Sequence, residues 1–212
     1  MIPPLYAILD IDSVTARRWT PADVCRAWLS AGVRLIQLRA KHLASGPLLE
    51  LADELVSLCR EAEAVLIVND RADIAAMARA GGLHLGQDDV TARDARLVLG
   101  ESAMIGLSTH DSGQVQAGIS EPVQYLAFGP VYSTNTKDTG YQALGLDRLR
   151  EAASIAGQAG LPLVAIGGLT LDSASAVREA GANSLAVISD LLAAPDLAGV
   201  ESRARAWLAA TV

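Results

Sequence analysis

The chain has 212 residues, 51% of them hydrophobic, and a net charge of −7 that disfavours a general nucleic-acid binder, since affinity for phosphate backbones comes from clustered Lys and Arg. No apolar run reaches the roughly 18–20 residues that span a bilayer, and Met1-Ile2-Pro3-Pro4-Leu5-Tyr6 has neither a basic leader nor a long apolar core of a signal segment. The expectation is a soluble, cytoplasmic protein without nucleic-acid or membrane partners, with 1–212 forming one domain around one core.

In chain order, LYAIL at 5–9 is the first apolar run, followed by helical spacing over 21–31. LIQL at 35–38 precedes a helical stretch at 46–62, VLIV at 65–68 one at 71–80, and LHL at 83–85 one at 91–99. MIGLS at 104–108 leads to 111–118, YLAF at 125–128 to 146–159, LVAI at 163–166 to 172–180, and LAVI at 185–188 to about 195–210. Near-continuous apolar strands alternating with helices imply a parallel sheet covered by helices on its outer face. Eight such units favour closure into a single-domain α/β (β/α)8 TIM barrel. The open doubly wound alternative lacks its dinucleotide fingerprint, because Asp10-Ile11-Asp12 stands where the glycine-rich turn would be. Gly32, Gly81 and Gly181 each follow a helical Ala and precede a strand, which predicts left-handed helix ends. Cys25 and Cys59 fall within helices at no metal-ligand spacing and read as packing residues.

Barrel chemistry sits at the C-terminal ends of the strands, and those positions are polar here. Gln37, Arg39 and Lys41 follow the second strand, Asn69 and Asp70 the third, Gln87, Asp88 and Asp89 the fourth, and Ser108 and His110 the fifth. The sixth loop, 129–144, is the longest and carries Thr134, Thr136 and Lys137. Arg39 and Lys41, two apart in extended chain, could clamp one anion with Lys137 as a third cation; the bland alternative is a strand-end salt bridge. Asp70 and Asp89 could share a hard divalent cation completed by diphosphate oxygens and waters, or each could cap the following helix. Gly167-Gly168 and Val187-Ile188-Ser189 place small residues after strands seven and eight, where barrels often hold a phosphate; the alternative is a tight turn. His84 reads as a hydrogen-bonded core residue, His42 as solvent-facing, and His110 as a candidate acid or base.

At these positions the sequence resembles the thiamine phosphate synthase family, which includes related thiazole tautomerases. The shared phrases come in order: QLRAK at 37–41, VND at 68–70, HLGQDD at 84–89, GLSTH at 106–110, FGPVY at 128–132, TNTK at 134–137, IGG at 166–168 and VIS at 187–189. The resemblance implies a transferase that joins hydroxymethylpyrimidine diphosphate to hydroxyethylthiazole phosphate, releasing pyrophosphate through a dissociative, Mg²⁺-assisted substitution, with Mn²⁺ as a substitute ion. Carried over position by position, Arg39, Lys41, Asn69 and Lys137 would contact the diphosphate, and Asp70 and Asp89 would hold the metal. Gln37 and Ser108 would line the pyrimidine site, and Thr134, Thr136, Gly168, Ile188 and Ser189 would place the thiazole phosphate. Lys137, Arg39 and Ser108 would be the catalytic groups, and a homo-oligomer is compatible with this reading.

The chemistry agrees with that assignment, since expelling a diphosphate builds negative charge that a metal and fixed cations stabilise, and no nucleophilic side chain is required. The long sixth loop with Gly129, Pro130 and Gly140 could act as a lid that keeps water from a cationic intermediate. Three departures from the family pattern bear on substrate fit more than on chemistry: Ser133 for a common Pro, Ala40 for a common acid, and the stretch Asp138-Thr139-Gly140-Tyr141. Two other classes stay open, a thiazole tautomerase acting through His110 and a non-catalytic phosphate-ligand-binding barrel. The full set Arg39, Lys41, Asp70, Asp89 and Lys137 favours the transferase, because neither alternative requires it.

Overall fold

Eight short apolar runs pair in parallel, each with its successor in sequence and the last with the first. They are β1 (Leu5–Asp10), β2 (Leu35–Arg39), β3 (Val65–Asn69), β4 (Gly82–Leu85), β5 (Met104–Thr109), β6 (Tyr125–Phe128), β7 (Leu163–Ile166) and β8 (Ser184–Val187). The computed structural model describes residues 2–133 and 142–211. Closure is made by β1 against β8, with Leu5 opposite Leu185 and Ala7 opposite Val187. The result is the (β/α)8 barrel that the alternation of runs implies.

Side chains alternate between two apolar environments, as the period of two requires. Tyr6, Ile8, Leu35, Ile67, Tyr125 and Val164 belong to an inner cluster, whereas Leu5, Ala7, Leu9, Ile36 and Leu38 join the larger cluster that includes the helices. The helices are α1 (Ile11–Thr15), α2 (Pro21–Ala31), α3 (Ser45–Glu61), α4 (Ala72–Met77), α5 (Ala92–Leu99), α6 (Ser112–Gly118), α7 (Gly145–Gln158), α8 (Ala174–Glu179) and α9 (Leu197–Ala210). Thr20, Thr91, Asp111 and Asp196 cap α2, α5, α6 and α9 by accepting a backbone N–H three residues on. Trp28 of α2 and Trp207 of α9 are fully buried, and each such side chain contributes on the order of 3 kcal/mol through its apolar surface.

The structure departs from the sequence reading at several boundaries. α1 is additional, started by Asp10, whose carboxylate accepts from the Ser13 N–H at 2.9 Å. A single turn without an extended apolar stripe leaves no periodic signal. The seventh unit's helix is split into a tight 3-10 turn, Leu171–Ser173, and α8. Gly32 and Gly181 are left-handed as expected, at φ 106° and 100°, but Gly81 is not. Arg79, at φ 52°, makes the left-handed turn after α4 instead. Gly81 answers a packing need: a Cβ there would lie 2.6 Å from Cγ1 of Val65. Cys25 and Cys59 are buried packing residues, as expected, on α2 and α3. They also touch each other, and that thiol–thiol contact together with burial pushes the Cys25 thiol above its usual range. No helix of the described residues is long and apolar enough to cross a membrane.

Candidate active site

The ends of β1 and β2 and the turns after β3 and β4 carry charge, whereas the ends of β5 to β8 border an apolar cleft. On the charged side, Arg39 closes β2 opposite Asp10 of β1 and forms an ion pair with it. The pair is nearly enclosed, with side-chain exposures of 13% for Arg39 and 3% for Asp10. Asp10 therefore uses one carboxylate oxygen to start α1 and the other to hold Arg39.

Lys41 lies beyond the end of β2, and its ammonium meets Asp70 at 2.5 Å. Arg39 and Lys41 are thus engaged by different carboxylates, which is the strand-end salt bridge that competes with the anion clamp in the sequence. Asp70 follows Asn69, the last residue of β3, and sits at φ 64°. Asp tolerates this left-handed conformation better than most residues. The Asp70 N–H, donated to the His84 carbonyl at 2.8 Å, fixes it there. Neither Asp70 nor Asp89 is a helix cap: Arg71 stands at the N-cap of α4 with no side-chain cap bond, and α5 is capped by Thr91. Asp89 instead reaches back to accept the Gly86 N–H at 2.7 Å. This brings the two carboxyl groups into contact. Burial pushes the Asp70 carboxyl above the ordinary aspartate range, the Asp89 carboxylate adds to that push, and the Lys41 ammonium opposes it.

Two carboxylates facing each other beside one ammonium suit a hard divalent cation, which would relieve their repulsion. No group of three or more His, Cys, Asp or Glu able to hold a metal occurs among the described residues. An ion here would take two protein carboxylates and complete its shell from waters or a ligand, a donor set that suits Mg²⁺.

On the other side, a cleft is lined by Ser108 of β5 and His110 just beyond it, Gly129 and Pro130 after β6, Gly168 after β7 and Ser189 after β8. Ile188 borders the same cleft. His110 donates from Nδ1 to the Gly129 carbonyl at 2.6 Å. Gly167 and Gly168 are both left-handed, at φ 99° and 64°. Their lack of side chains admits the root of the sixth loop: a Cβ on Gly167 would lie 2.5 Å from Pro130, and one on Gly168 would lie 2.5 Å from the Ser133 carbonyl oxygen. The Val131 and Tyr132 N–H groups bond to the Ile166 and Gly167 carbonyls at 2.9 and 3.0 Å. The glycine pair therefore makes the tight turn and also forms the cleft wall. Behind Ser189, Asp190 accepts from Trp207 Nε1 and Arg203 Nη2, both at 2.7 Å, which fixes the β8 turn to α9.

Beneath both halves runs a chain of side-chain hydrogen bonds across the barrel interior. Gln37 Nε2 donates to the Tyr6 hydroxyl at 2.8 Å, and the Tyr6 and Tyr125 hydroxyls meet at 3.0 Å. His84 Nδ1 is 3.0 Å from the Tyr125 hydroxyl, and His84 Nε2 is 2.9 Å from Ser108 Oγ. His84 is accordingly the hydrogen-bonded interior residue that the sequence predicts. Burial pushes both tyrosine hydroxyls well above the usual range, so both stay protonated. Thr134, Thr136, Lys137 and the stretch Asp138–Tyr141, including Gly140 of the expected lid, lie outside the described residues. His42 is exposed, as expected, with Asp12 at 3.8 Å.

Sequence reasoning missed Asp10, Tyr6, Tyr125 and Asp190. A signal existed for the tyrosines, which are polar-tipped residues inside otherwise aliphatic runs and need hydrogen-bond partners once buried. Asp10 and Asp190 also stand at strand ends, but nothing in their spacing singles them out.

A family model described as thiamine monophosphate synthase matches residues 5–191. A thiamine-phosphate synthase of Acidothermus cellulolyticus is 46% identical over 185 residues, covering 87% of this chain and 86% of that protein. One from Koribacter versatilis is 40% identical, covering 92% of this chain and 91% of its own. Among solved structures, a thiamine phosphate pyrophosphorylase from Pyrococcus furiosus superposes with a TM-score of 0.84 at 28% identity, covering 99% of this chain and 97% of that one. With the match running from the first strand to the turn after the last, the chain belongs to the thiamine monophosphate synthase family.

Proposed function

We propose that this chain is a transferase that couples hydroxymethylpyrimidine diphosphate to hydroxyethylthiazole phosphate, giving thiamine phosphate and pyrophosphate. The observation that carries the reading is the convergence at one barrel mouth of the Asp70–Asp89 carboxylate pair, Lys41 and Arg39, beside a cleft bordered by Ser108, Gly168 and Ser189. Such a mouth has a place for a highly charged leaving group next to a place for apolar rings. A tautomerase or a passive binding barrel gives the carboxylate pair and its cations no task.

In this assignment Arg39, Lys41 and Asn69 receive the diphosphate together with Lys137 of the sixth loop. Asp70 and Asp89 hold Mg²⁺, for which Mn²⁺ can substitute, and the ion supplies neutralisation of diphosphate charge. Gln37 and Ser108 orient the pyrimidine by hydrogen bonds from the two ends of the interior chain. Thr134, Thr136, Gly168, Ile188 and Ser189 position the thiazole phosphate. The cationic groups stabilise charge that grows as the carbon–oxygen bond to diphosphate breaks, so their effect falls on turnover more than on ground-state binding. The ring nitrogen of the thiazole supplies the electron pair for the new bond.

The test is incubation of the purified chain with both phosphorylated precursors and Mg²⁺, with products identified by mass. Equimolar thiamine phosphate and pyrophosphate are expected. Isomerisation of a thiazole carboxylate phosphate without any coupling would overturn the assignment in favour of a tautomerase.

A further inference from the structure

The chain Gln37–Tyr6–Tyr125–His84–Ser108 has a consequence beyond holding its members in place. It joins five strands, and each tyrosine hydroxyl has one hydrogen to give. When Gln37 Nε2 donates to Tyr6, the Tyr6 hydrogen goes to Tyr125, and the Tyr125 hydrogen goes to His84 Nδ1. Neutral His84 then carries its proton on Nε2 and donates it to Ser108 Oγ. The Ser108 hydroxyl hydrogen is left for a ligand, and Gln37 offers its amide oxygen.

The reverse sense is also self-consistent, but it requires every bond to turn together. Ser108 would donate to His84 Nε2, His84 Nδ1 to Tyr125, Tyr125 to Tyr6, and Tyr6 to a rotated Gln37 amide oxygen. Gln37 would then offer N–H, and Ser108 would offer a lone pair. Any partial reversal sets two hydrogens or two lone pairs against each other at one link, which an enclosed polar network disfavours.

We infer that this interior chain locks together the donor or acceptor character presented at Gln37 and at Ser108, making Tyr6, Tyr125 and His84 specificity-determining positioning residues that select one hydrogen-bonding pattern on a bound heteroaromatic ring. The inference rests on the reading that a pyrimidine lies against Gln37 and Ser108. The sense with bare Nδ1 follows from the observed Gln37 Nε2 contact, and it accepts a ring edge that offers an N–H donor to Gln37 and an acceptor to Ser108. An aminopyrimidine provides such a pair, whereas the 4-oxo ring exchanges donor and acceptor along that edge.

The test uses the full chain and two probes, the 4-amino-5-hydroxymethyl-2-methylpyrimidine diphosphate and its 4-oxo analogue, titrated with Mg²⁺ but without thiazole phosphate. The unaltered chain should prefer the amino ring by roughly 10²-fold or more, since a site built on buried hydrogen bonds rejects the mismatched pattern strongly. Tyr6→Phe and Tyr125→Phe each keep the ring and remove the link. Both should reduce that preference by at least about tenfold while leaving inorganic pyrophosphate affinity unchanged. In ¹⁵N-histidine-labelled protein with the amino ring bound, His84 should show the single neutral tautomer protonated at Nε2, and Tyr125→Phe should yield a tautomer mixture. An unchanged preference in both variants, or an imidazolium or mixed tautomer in the bound unaltered chain, overturns the inference while leaving the pyrimidine reading intact. Failure of either ring to bind, with pyrophosphate still bound, overturns both. Melting curves for the two variants establish that they are folded, and two separate hydroxyl deletions prevent one unstable variant from deciding the matter.

Discussion

The ion pair between Asp10 and Arg39 provides a test of how the charged half of the mouth is held. Asp10→Asn keeps the α1 cap, because an Asn side-chain oxygen accepts from the Ser13 N–H as well as Asp does. What it removes is the negative charge facing Arg39. With side chains only 3% and 13% exposed, the abandoned guanidinium has little water to replace its partner. Breaking such a buried pair from one side costs about 3 kcal/mol, at the low end because Arg39 borders the open mouth. For a chain of this size that corresponds to roughly 6–12 °C in melting temperature. Asp10→Ala also deletes the cap and should lose about 1 kcal/mol more. Urea unfolding of both variants measures the difference, and added pyrophosphate should restore more stability to Asp10→Asn than to the unaltered chain, since the freed Arg39 gains an anion. A loss under about 0.5 kcal/mol for Asp10→Asn, with no enhanced pyrophosphate rescue, would refute the reasoning that Asp10 neutralises and positions Arg39.

Gly106→Ala should be among the most damaging single-methyl changes, because the added Cβ would sit 1.9 Å from the Tyr125 ring; a loss of about 3 kcal/mol or more is expected in the same urea assay. Asp70→Ala and Asp89→Ala should each lower Mg²⁺-dependent coupling by roughly 10²-fold or more while far-ultraviolet circular dichroism stays unchanged, and full activity in both would leave the carboxylate pair without a catalytic task. Trp207→Phe keeps an aromatic ring but removes the donor to Asp190 and part of a buried indole, which should cost about 2–3 kcal/mol and raise KM for the thiazole phosphate more than it lowers kcat, as urea unfolding and steady-state kinetics would show. Lys137→Ala should reduce coupling by roughly 10²-fold and His110→Ala by less, with the reverse order expected of a tautomerase.

The strands were legible because all eight are short apolar runs bounded by turn residues, a signal that tertiary context reinforces. The helix ends were less so. Gly81 carries the same Ala-Gly pattern as Gly32 and Gly181, yet the chain after α4 turns at Arg79, and the missing side chain at 81 instead admits the close approach of Val65. A sequence pattern reports local preference, whereas the need for glycine at 81 comes from a strand sixteen residues earlier. The same limit applies to Asp89. Its place just before a helix suggested a cap, but Thr91 took that role and left the carboxylate to the Gly86 turn and to Asp70. Tyr6 and Tyr125 read as core because their rings are core. Only the fold reveals that strands one and six lie across the barrel from each other, with hydroxyls meeting at its centre.

This arrangement also bears on how a chain of net charge −7 would receive the anionic substrate proposed for it. Arg39 and Lys41 are not presented as bare positive charges; each is held by an aspartate, one deep and one at the rim. The carboxylates fix cations that would otherwise sample many rotamers, so part of the ordering cost is met during folding rather than on binding. Asp10 is well placed for this task alone, since its second oxygen is committed to α1. Asp70 is placed differently, with Asp89 against it and a carboxyl that burial already disfavours in its charged form. An added cation therefore lowers the free energy of the Asp70 side most, whereas an added anion does so at Arg39. Under the proposed assignment, a diphosphate carrying a divalent ion would offer both charges at once, so two separate aspartate environments would select the pair over either ion alone.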